Sequence, residues 1–517
     1  MMHPYSHYPA RAARLWPERI AVIDGDRQPT FAELDARASA AAAALIARGL
    51  ESGERVAVIQ FNCLEFVVAV IAIARAGGVL CPTLGVLTEA EHRYIVADSD
   101  ARFVIALTPE HFERAKAVAP DTQAALGLGA FAGDANLLAD GQAPGPIPEF
   151  DRPPQTLAQI LYTSGTTGKP KGVTHSFASV SAAMNFWATT FGHRPDDRVL
   201  GQLPLSHFCA RAMDSAWIGG AALVILRDAT PATVLDAIAR HRVNFMLGVP
   251  TFLRVLLDDP ACESADLTSL RNIVYAAAPA APTLVERAMK RFGAVLNTGF
   301  GQTEAYGLCT YMGPAEHAQA LAEDPTRLTS VGREFGSAQV MIRTEDGRRC
   351  APGEVGEICI CAPWVTPGFW KNAELDAKRL QGGWLLTGDL GRMEADGYVY
   401  LADRKEDMII SGGYNVYPAE VEHALVEHQA VAECGAFAVP DDKWGEAVHA
   451  SVVLRPGASA SEAELLAFAK ERLAHFKVPK AVHFVETLPK TPVGKTVRRV
   501  LREPYWAGHE QQVHGAG

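Results

Sequence analysis

The sequence of 517 residues lacks several features that define whole classes of protein. It has no basic excess, because 48 lysines and arginines stand against 59 acidic residues and give a formal charge of −11. Proteins that bind nucleic acid usually carry a basic excess on one face, so we expect no nucleic-acid partner. No run of like charges is long enough to form an interaction tail.

Cysteines are few and scattered. Among nine, only Cys359 and Cys361 lie close together, in a strand-like stretch with no second pair at zinc spacing. We therefore expect buried thiols rather than metal ligands, and a reducing compartment, the cytoplasm.

The sequence also shows no pattern of a secretory leader and no long apolar run. Residues 1–22 contain no apolar core of the kind that a signal peptide needs. The most apolar run, residues 66–74, is far shorter than the roughly 20 residues that span a bilayer. We expect a buried helix there and no membrane span.

What the sequence does contain is a regular alternation of strand-like and helix-like segments up to about residue 330. This alternation predicts α/β layers with parallel sheets, and the Ala/Gly/Pro-rich residues 119–149 are expected to form a surface loop. Short strands joined by Asp-Gly and Pro-Gly turns follow and predict an antiparallel or barrel-like part. From about residue 405 the pattern indicates a compact α+β unit of about 100 residues.

One helix can be predicted in detail over residues 30–50. Thr30 is placed to cap its first turn, Glu33 completes a capping box, and Gly49 is expected to end it.

Residues 162–173, YTSGTTGKPKGV, indicate a phosphate-binding loop. Gly165 and Gly168 can take positive φ, so that backbone N–H groups turn inward as an anion nest. Further donors and positive charge come from Ser164, Thr166, Thr167, Lys169 and Lys171. The loop follows a strand-like stretch and precedes a helix expected near Ser176, but it does not fit the ordinary P-loop pattern. A surface turn with solvated lysines is the alternative.

This stretch resembles the phosphate-binding signature of the adenylate-forming (ANL) superfamily, which includes the acyl-CoA synthetases. The other signatures of that superfamily are matched in order by LPLSHF (203–208), GFGQTEAYG (299–307), TGDLG (387–391), DRKEDMIISGGYNVYPAEVE (403–422) and PKTPVGKTVRR (489–499). The resemblance covers nearly the whole chain but does not name the acid.

The resemblance implies an α/β fold in two domains. A large N-terminal domain of layered α/β sheets with a distorted β-barrel part is expected over residues 1–403. A hinge at 404–406 leads to a small, mobile α+β C-terminal domain over 407–517.

The activity implied is that of an ATP-dependent carboxylate–CoA ligase. A carboxylate attacks the α-phosphorus of ATP, pyrophosphate leaves, and CoA converts the acyl-AMP into a thioester with release of AMP. The expected partners are a small carboxylic acid, ATP, Mg²⁺ and CoA, and the protein is expected to be a monomer or homodimer. Because both reactants are anions, their charge must be neutralised before they meet.

The resemblance assigns a set of residues to ATP. They are Thr163, Ser164, Gly165, Thr166, Thr167, Gly168, Lys171, Phe300, Thr303, Asp389, Arg404 and Lys495. Within this set, Phe300 stands where the family usually has tyrosine and faces adenine, and Asp389 accepts from the ribose hydroxyls. Lys495 is expected to bridge the α-phosphate and the carboxylate. Taken alone, each would be an ordinary turn, cap or surface residue.

Three further roles follow from the resemblance. Catalysis involves Lys495, His207, Thr303 and Glu304, and Glu304 is the expected Mg²⁺ ligand. Glu406, where the family usually has Asp or Lys, marks the hinge, and Gly412 and Gly413 form the face of a CoA tunnel because glycine admits a close approach.

The expected acyl pocket comprises His207, Arg211, Ala278 and Gly301. Arg211 suggests an acid with a second anionic group, a dicarboxylate or a sulfonated acid such as sulfoacetate. Asp214 is three residues further along a helix, so an internal ion pair is the alternative, which we favour. Alanines at 274–282, with Tyr275 and Tyr306, predict a short or compact acid.

Other functions stay open at this point. A medium/long-chain or aryl-acid CoA ligase, an adenylation enzyme that loads a carrier protein and a luciferase-type oxygenase share these motifs. No aspartate stands where LPLSHF would need one for an α-amine, which argues against amino-acid loading. A nucleotide-binding regulator without chemistry is disfavoured by the joint presence of Lys495, Glu304 and Asp389.

Overall fold

The computed structural model describes residues 1–138, 152–163, 170–206, 208–277, 280–404, 407–411, 414–441, 444–490 and 496–506. The chain divides into two compact units. The first comprises residues 1–328, 332–340 and 360–385, and the second comprises residues 329–331, 341–359 and 386–517. The predicted fold class, a large α/β N-terminal domain with a half-barrel sheet and a small α+β C-terminal domain, is confirmed. The limits at 403 and 406 stay predictions.

Two six-stranded sheets form the framework of the first unit. One has the order Ala125–Gly127, Ala101–Ala106, Arg55–Gln60, Val79–Leu84, Leu157–Thr163, Lys171–Ser176. Its neighbours are parallel except the last pair, which is an antiparallel hairpin. The other has the order Val22–Ile23, Ala222–Ile225, Arg198–Gly201, Phe245–Gly248, Asn272–Tyr275, Leu296–Thr298 and is wholly parallel. Both sheets agree with the predicted βα alternation.

Helices connect and cover these strands. They are Pro4–Leu15, Phe31–Ala47, Leu64–Arg75, Glu89–Asp98, Pro109–Val118, Phe177–Phe191, Ala210–Gly219, Pro231–His241, Pro250–Asp258, Ala261–Ser264, Pro282–Phe292, Pro314–Glu323 and Ala373–Arg379. The helix Leu64–Arg75, which contains the longest apolar run, is buried on every side apart from Glu65. This explains its lack of a polar face. No helix in the described part of the chain is both long enough and apolar enough to cross a membrane.

Local sequence chemistry sets the ends of these elements. Thr30 accepts from the backbone of Glu33, whose side chain accepts in turn from Thr30 N–H, so the predicted capping box is present. The helix ends at Ala47, and Gly49 has the positive φ of 88° that favours glycine. The prediction of a surface loop over 119–149 was wrong in part, because Ala125–Gly127 is a buried edge strand and residues 139–149 lie outside the described ranges.

Antiparallel strands follow, as the turn-rich sequence predicts. A short ladder pairs Thr310–Tyr311 with Arg333–Glu334. A five-stranded sheet has the order Gln339–Arg343, Gly356–Cys361, Trp384–Met393, Leu380–Gln381. Its fifth strand, Val399–Arg404, pairs with the C-terminal half of the long strand Trp384–Met393.

The C-terminal part of the second unit has its own sheet and core. Its strands are ordered Tyr414–Val416, Ile409–Ser411, Gly445–Leu454, Val431–Asp441, and Ala481–Phe484 pairs with Gly445–Leu454. Helices Pro418–Val426, Glu462–Lys470 and Arg498–Trp506 accompany it. Leu425, Val452 and Leu465 are among the fully buried residues of a separate apolar core, as a compact domain requires.

Candidate active site

The predicted phosphate loop closes an antiparallel hairpin. Thr163 ends one strand, Lys171 begins the next, and the two residues are paired in register. Strand Lys171–Ser176 was not predicted, but the following helix does begin near Ser176 as expected, and Ser176 is its N-cap. Residues 164–169, which include Ser164, Gly165, Thr166, Thr167 and Gly168, lie outside the described residues.

The segment GFGQTE forms a tight turn that requires its glycines. A Cβ on Gly299 would lie 2.2 Å from the carbonyl oxygen of Thr310, and one on Gly301 would lie 2.1 Å from that of Gly307. Phe300 N–H donates to Thr310 Oγ1 at 2.8 Å, and the Phe300 carbonyl accepts from Cys309 N–H at 2.7 Å. This packing explains Gly301 without a substrate, so its place in the pocket stays a prediction.

Thr303 and Glu304 lie in the single helical turn Thr303–Ala305 and are held through their backbone carbonyls. His175 Nε2 is 2.9 Å from the Thr303 carbonyl oxygen, and Thr366 N–H donates to that of Glu304 at 2.7 Å. Burial lowers the pKa of His175 to about 3, and the charge of Arg211 acts in the same direction. The ring is therefore neutral and donates its one proton from Nε2.

The Glu304 side chain is mostly buried, and its carboxylate lies 4.0 Å from Arg379 Nη2. That distance exceeds a hydrogen bond, so the carboxylate keeps coordination sites for another cation. Arg379 also donates to the Gln302 side chain at 3.2 Å.

Sequence reasoning missed His175, Thr366 and Arg379. The period-two pattern of strand Lys171–Ser176, in which Val173 and His175 share a face, could have indicated His175. Thr366 and Arg379 are brought to the turn from more than 60 residues away, and no local pattern marks them.

In the second unit, Asp389 and Arg404 are direct partners across an antiparallel pair. Asp389 N–H donates a hydrogen bond to Thr387 Oγ1 at 3.1 Å, and the Thr387 hydroxyl donates to the Ile358 carbonyl oxygen at 2.6 Å. Gly388, which lies between Thr387 and Asp389 in the chain, has a φ of 72°. The sheet thus brings together the backbones of Asp389 and Arg404, which the motifs assign to one nucleotide. The structure describes the backbone of Arg404 but not its side chain.

Arg211 is buried in an internal ion pair with Asp214, which is the alternative that the sequence analysis favoured. Its guanidinium is 3.1 Å from Asp214 and 3.6 Å from the Tyr306 ring centre, and Arg211 and Asp214 are 4% and 0% exposed. Burial raises the pKa of Asp214 to about 6, although Arg211 opposes that rise. The hypothesis that Arg211 receives a second anionic group of the acid is not supported.

The two tyrosines that were named with the alanines in the prediction of a compact acid, Tyr275 and Tyr306, have internal partners. Tyr306 takes the left-handed region at φ 53°, and its hydroxyl is hydrogen-bonded to that of Tyr5 from helix Pro4–Leu15. The hydroxyl of Tyr275 is 2.8 Å from His317 Nε2. These contacts give neither tyrosine a described role beside a substrate.

Several candidate residues cannot be placed. His207, Ala278, Glu406, Gly412, Gly413 and Lys495 lie outside the described residues. All nine cysteines are free thiols; seven are buried, as expected, whereas Cys350 and Cys361 are only partly buried. Within the described part of the chain, no cluster of three or more His, Cys, Asp or Glu residues could hold a metal.

Comparison with known proteins decides the family. The family model described as AMP-binding enzyme matches residues 9–370, and that for the AMP-binding enzyme C-terminal domain matches residues 420–495. The chain belongs to the AMP-binding enzyme family. It is therefore an AMP-forming acid–thiol ligase, whose cofactors are ATP, Mg²⁺ and CoA, as predicted.

Members with different acids resemble this AMP-binding enzyme about equally. The medium/long-chain-fatty-acid–CoA ligase FadD8 of Mycobacterium tuberculosis is 35% identical over 94% of this chain and 87% of its own. A feruloyl-CoA synthase of Amycolatopsis sp is 34% identical over 96% and 98%. The solved structure of amide bond synthetase McbA from Marinactinospora thermotolerans superimposes with a TM-score of 0.88 at 31% identity, over 97% and 100% of the two chains.

Proposed function

We propose that the turn at Thr303–Glu304 is the centre of an adenylation site in which a compact carboxylate attacks the α-phosphorus of ATP. The acyl-AMP formed reacts with the thiol of CoA, which breaks the acyl–oxygen bond, forms the thioester and releases AMP. The observation that carries this proposal is the fixed turn itself. Backbone bonds hold Thr303 and Glu304 in place and leave both side chains available to a ligand.

Within this proposal the other residues divide between the two substrates. Thr163, Lys171 and the loop between them hold the β and γ phosphates, Phe300 faces adenine, and Asp389 with Arg404 holds the ribose. His207 and Lys495 flank the reacting carboxylate and α-phosphate. Glu406 is the hinge, and Gly412 and Gly413 admit the CoA thiol arm.

Mg²⁺ would be held by Glu304 together with the phosphate oxygens of ATP. A single carboxylate plus substrate phosphates is a common way of binding this ion, so the mostly buried Glu304 fits it without a further acidic cluster. The ion supplies positive charge that offsets the charge gathered at the phosphates.

Replacing Glu304 by Gln should raise the Mg²⁺ concentration needed for half-maximal pyrophosphate release by at least about 10-fold. The amide keeps the shape of the side chain but loses its charge. Glu323→Gln, on an exposed helix end, serves as the matched control. An unchanged Mg²⁺ requirement in E304Q would remove Glu304 from the metal site.

For the acid we propose a compact molecule with a planar ring. Support comes from the aromatic residues Phe186, Trp187, Phe208 and Trp364, whose rings pack near the turn at residues 303–307. A long flexible chain would gain little from such rings beyond contact area, whereas a planar group gains specific stacking. Because Arg211 is paired with Asp214, it gives no support to a second anionic group on the acid.

We propose that CoA binds at an aromatic face of the second unit, formed by Tyr414, Trp444, Phe476 and Lys480. The Tyr414 and Phe476 rings stack at 4.7 Å, and Lys480 Nζ lies 5.4 Å from the Trp444 ring centre. Tyr414 is paired with Ser411, and Ser411 is paired with Gly445, the residue that follows Trp444, so the strand pairing brings Tyr414 and Trp444 close together. Exposed rings beside a lysine suit a purine that carries phosphate.

Replacing Tyr414 or Trp444 by Ala should raise the KM for CoA about 5-fold or more and leave acid-dependent pyrophosphate release in a single turnover unchanged. Tyr414 is 60% and Trp444 is 37% exposed, so neither change opens the core. Phe484→Ala, at 44% exposure on the strand Ala481–Phe484, is the matched control. Equal effects on adenylation and on the KM for CoA would contradict this assignment.

We also propose a cytoplasmic location and a monomer or homodimer. The nine free thiols fit a reducing compartment.

The proposed function is tested by pyrophosphate release from ATP and Mg²⁺ across a panel of acids, with and without CoA. The panel includes straight-chain acids, ring acids and dicarboxylates of matched size. Release that depends on the acid and needs CoA for sustained turnover is the expected result. Release that no acid stimulates would contradict adenylation, and release that continues without CoA would contradict thioester formation.

A further inference from the structure

We propose that His175 and Thr366 are positioning residues for the Mg²⁺ site, because they tie the turn at Thr303–Glu304 to the strand that follows the phosphate loop. This inference rests on the proposed function, since it concerns the ion that adenylation requires. The two residues act through the backbone of the turn and thereby set the position of the Glu304 carboxylate. Their role requires no contact with the ion or with a substrate.

Strand Lys171–Ser176 reaches both proposed ATP-binding elements. At its start, Lys171 is paired with Thr163 across the hairpin that the phosphate loop closes. Four residues further along the strand, His175 Nε2–H donates to the Thr303 carbonyl oxygen at 2.9 Å. The strand therefore joins the base of the loop directly to the turn.

A second connection starts at the neighbouring residue, Thr174. The Thr366 hydroxyl is a donor 2.7 Å from the Thr174 carbonyl oxygen. Thr366 N–H donates to the Glu304 carbonyl oxygen at 2.7 Å. The same strand thus holds Thr303 directly through His175, and it holds Glu304 through Thr366.

The segment that contains Thr366 is itself fixed against the strand. Thr174 N–H donates to the Gly368 carbonyl oxygen at 3.0 Å, and Trp370 N–H donates to the Gly172 carbonyl oxygen at 2.7 Å. The Thr366 hydroxyl also accepts from Gly368 N–H at 3.1 Å, and Thr366 is 3% exposed. These bonds fix the direction of the Thr366 N–H group toward the turn.

The His175 ring makes its polar contact with this turn. Among the described residues, Nε2 has the Thr303 carbonyl as its partner and Nδ1 has no hydrogen-bond partner, although the residue is 0% exposed. An apolar side chain would fill the same place without the cost of a buried, unpaired nitrogen. We therefore attribute the contribution of the imidazole to its bond with Thr303.

The charge state of His175 suits a metal site. Burial lowers its pKa to about 3, and the charge of Arg211 acts in the same direction, so the ring is neutral. A neutral donor supports the turn without adding a positive charge that would repel Mg²⁺. The centre of the ring also lies 4.3 Å from that of Tyr306, the residue that ends this turn.

The experiment compares the binding of ATP with and without a metal ion. Mn²⁺ is used in place of Mg²⁺, and isothermal titration calorimetry gives the Kd for metal-free ATP in EDTA and for the Mn²⁺–ATP complex, with no acid present. The wild-type protein should bind the complex more tightly than metal-free ATP. The ratio of the two Kd values reports the contribution of the metal site, whereas a general defect of the fold weakens both.

Two pairs of variants test the two connections. His175→Met should lower this ratio by at least about 5-fold, and Thr366→Val, which keeps the N–H bond to Glu304, by about 3-fold. The Mg²⁺ concentration for half-maximal pyrophosphate release should rise by similar factors. His175→Gln and Thr366→Ser keep the donor groups and should stay within about 2-fold of the wild type.

Two buried residues with the same chemistry serve as matched controls. His92 is 1% exposed, and its Nε2–H donates to the Leu84 carbonyl oxygen at 3.1 Å. Thr83 is 2% exposed, and its hydroxyl donates to the Val58 carbonyl oxygen at 3.3 Å. His92→Met and Thr83→Val therefore remove comparable bonds that do not involve the turn, and both should leave the ratio unchanged.

Each outcome decides the inference. It is overturned if His175→Met and Thr366→Val leave the ratio unchanged, if His175→Gln and Thr366→Ser lower it as much as they do, or if the two controls lower it equally. The threonine variants cover the case in which His175→Met does not fold.

Failure of the proposed function would be recognised separately. A wild-type protein that binds Mn²⁺–ATP but releases pyrophosphate with none of the acids would defeat the proposed function, and the ratio would still decide the inference. A wild-type protein that releases pyrophosphate but binds ATP equally well with and without Mn²⁺ would defeat the inference alone.

Discussion

Replacing Lys495 by Ala is expected to slow acyl-AMP formation by about 10²- to 10³-fold, the usual effect of removing one group that stabilises transition-state charge. Negative charge gathers where the carboxylate meets the α-phosphate, and an ammonium group can contact oxygens of both. The conversion of preformed acyl-AMP and CoA into the thioester should change little, because the proposed role of Lys495 ends with adenylation. Single-turnover measurements of each half-reaction test both statements.

Lys490→Ala is the matched control for this experiment. Lys490 lies in the same PKTPVGK segment, but its ammonium donates to Glu433 at 2.7 Å on the surface of the second unit. Its loss should leave both half-reactions near the wild-type rate, since an exposed ion pair contributes little. A Lys495→Ala enzyme that forms acyl-AMP at the normal rate, or one that loses both half-reactions equally, would contradict the assignment.

Replacing Arg211 by Met is expected to lower the free energy of unfolding by about 3–5 kcal/mol. The change leaves the fully buried Asp214 carboxylate without the guanidinium that lies 3.1 Å from it in the wild type. Met also loses the contact of the guanidinium with the Tyr306 ring. Chemical denaturation followed by far-UV circular dichroism measures the effect.

The pH dependence of this loss gives a second measurement. The pKa of Asp214 is already raised by burial, and removal of Arg211 raises it further. The folded state then binds a proton at a pH where the unfolded state does not. The free energy of unfolding therefore falls as the pH rises from the pKa of this carboxyl group in the unfolded chain to its raised pKa in the folded protein. The destabilisation in Arg211→Met should therefore be smaller at pH 5 than at pH 8.

The double variant Arg211→Met/Asp214→Leu separates charge from packing. Removing both charges should recover most of the lost stability, because the remaining apolar side chains need no partner. If Arg211→Met is as stable as the wild type at pH 8, the ion pair has no structural role. A selective loss of turnover with dicarboxylic acids in that variant would restore the second-anion hypothesis.

Much of the fold could be predicted because local patterns agree with the tertiary structure. The capping box at Thr30 and Glu33 and the apolar run of Leu64–Arg75 each specify one element. The strand Lys171–Ser176 was missed because lysine, glycine and threonine residues interrupt its apolar pattern. It exists because it pairs along its length with Leu157–Thr163.

The site shows the same division between local and long-range determinants. Thr303 and Glu304 could be named from a motif, and their turn does follow from the close packing at Gly299 and Gly301. The contacts that His175, Thr366 and Arg379 make with this turn could not be predicted, because these residues lie in chain segments distant in sequence.

The central claim is that a carboxylate oxygen of the acid attacks the α-phosphorus of ATP, and isotope transfer tests it most directly. The best acid of the panel, labelled with ¹⁸O in its carboxylate, is converted with ATP and CoA, and the AMP released is weighed by mass spectrometry. One ¹⁸O atom in each AMP, with none in pyrophosphate, is the predicted result. Unlabelled AMP, or ¹⁸O found in inorganic phosphate instead, would contradict the account.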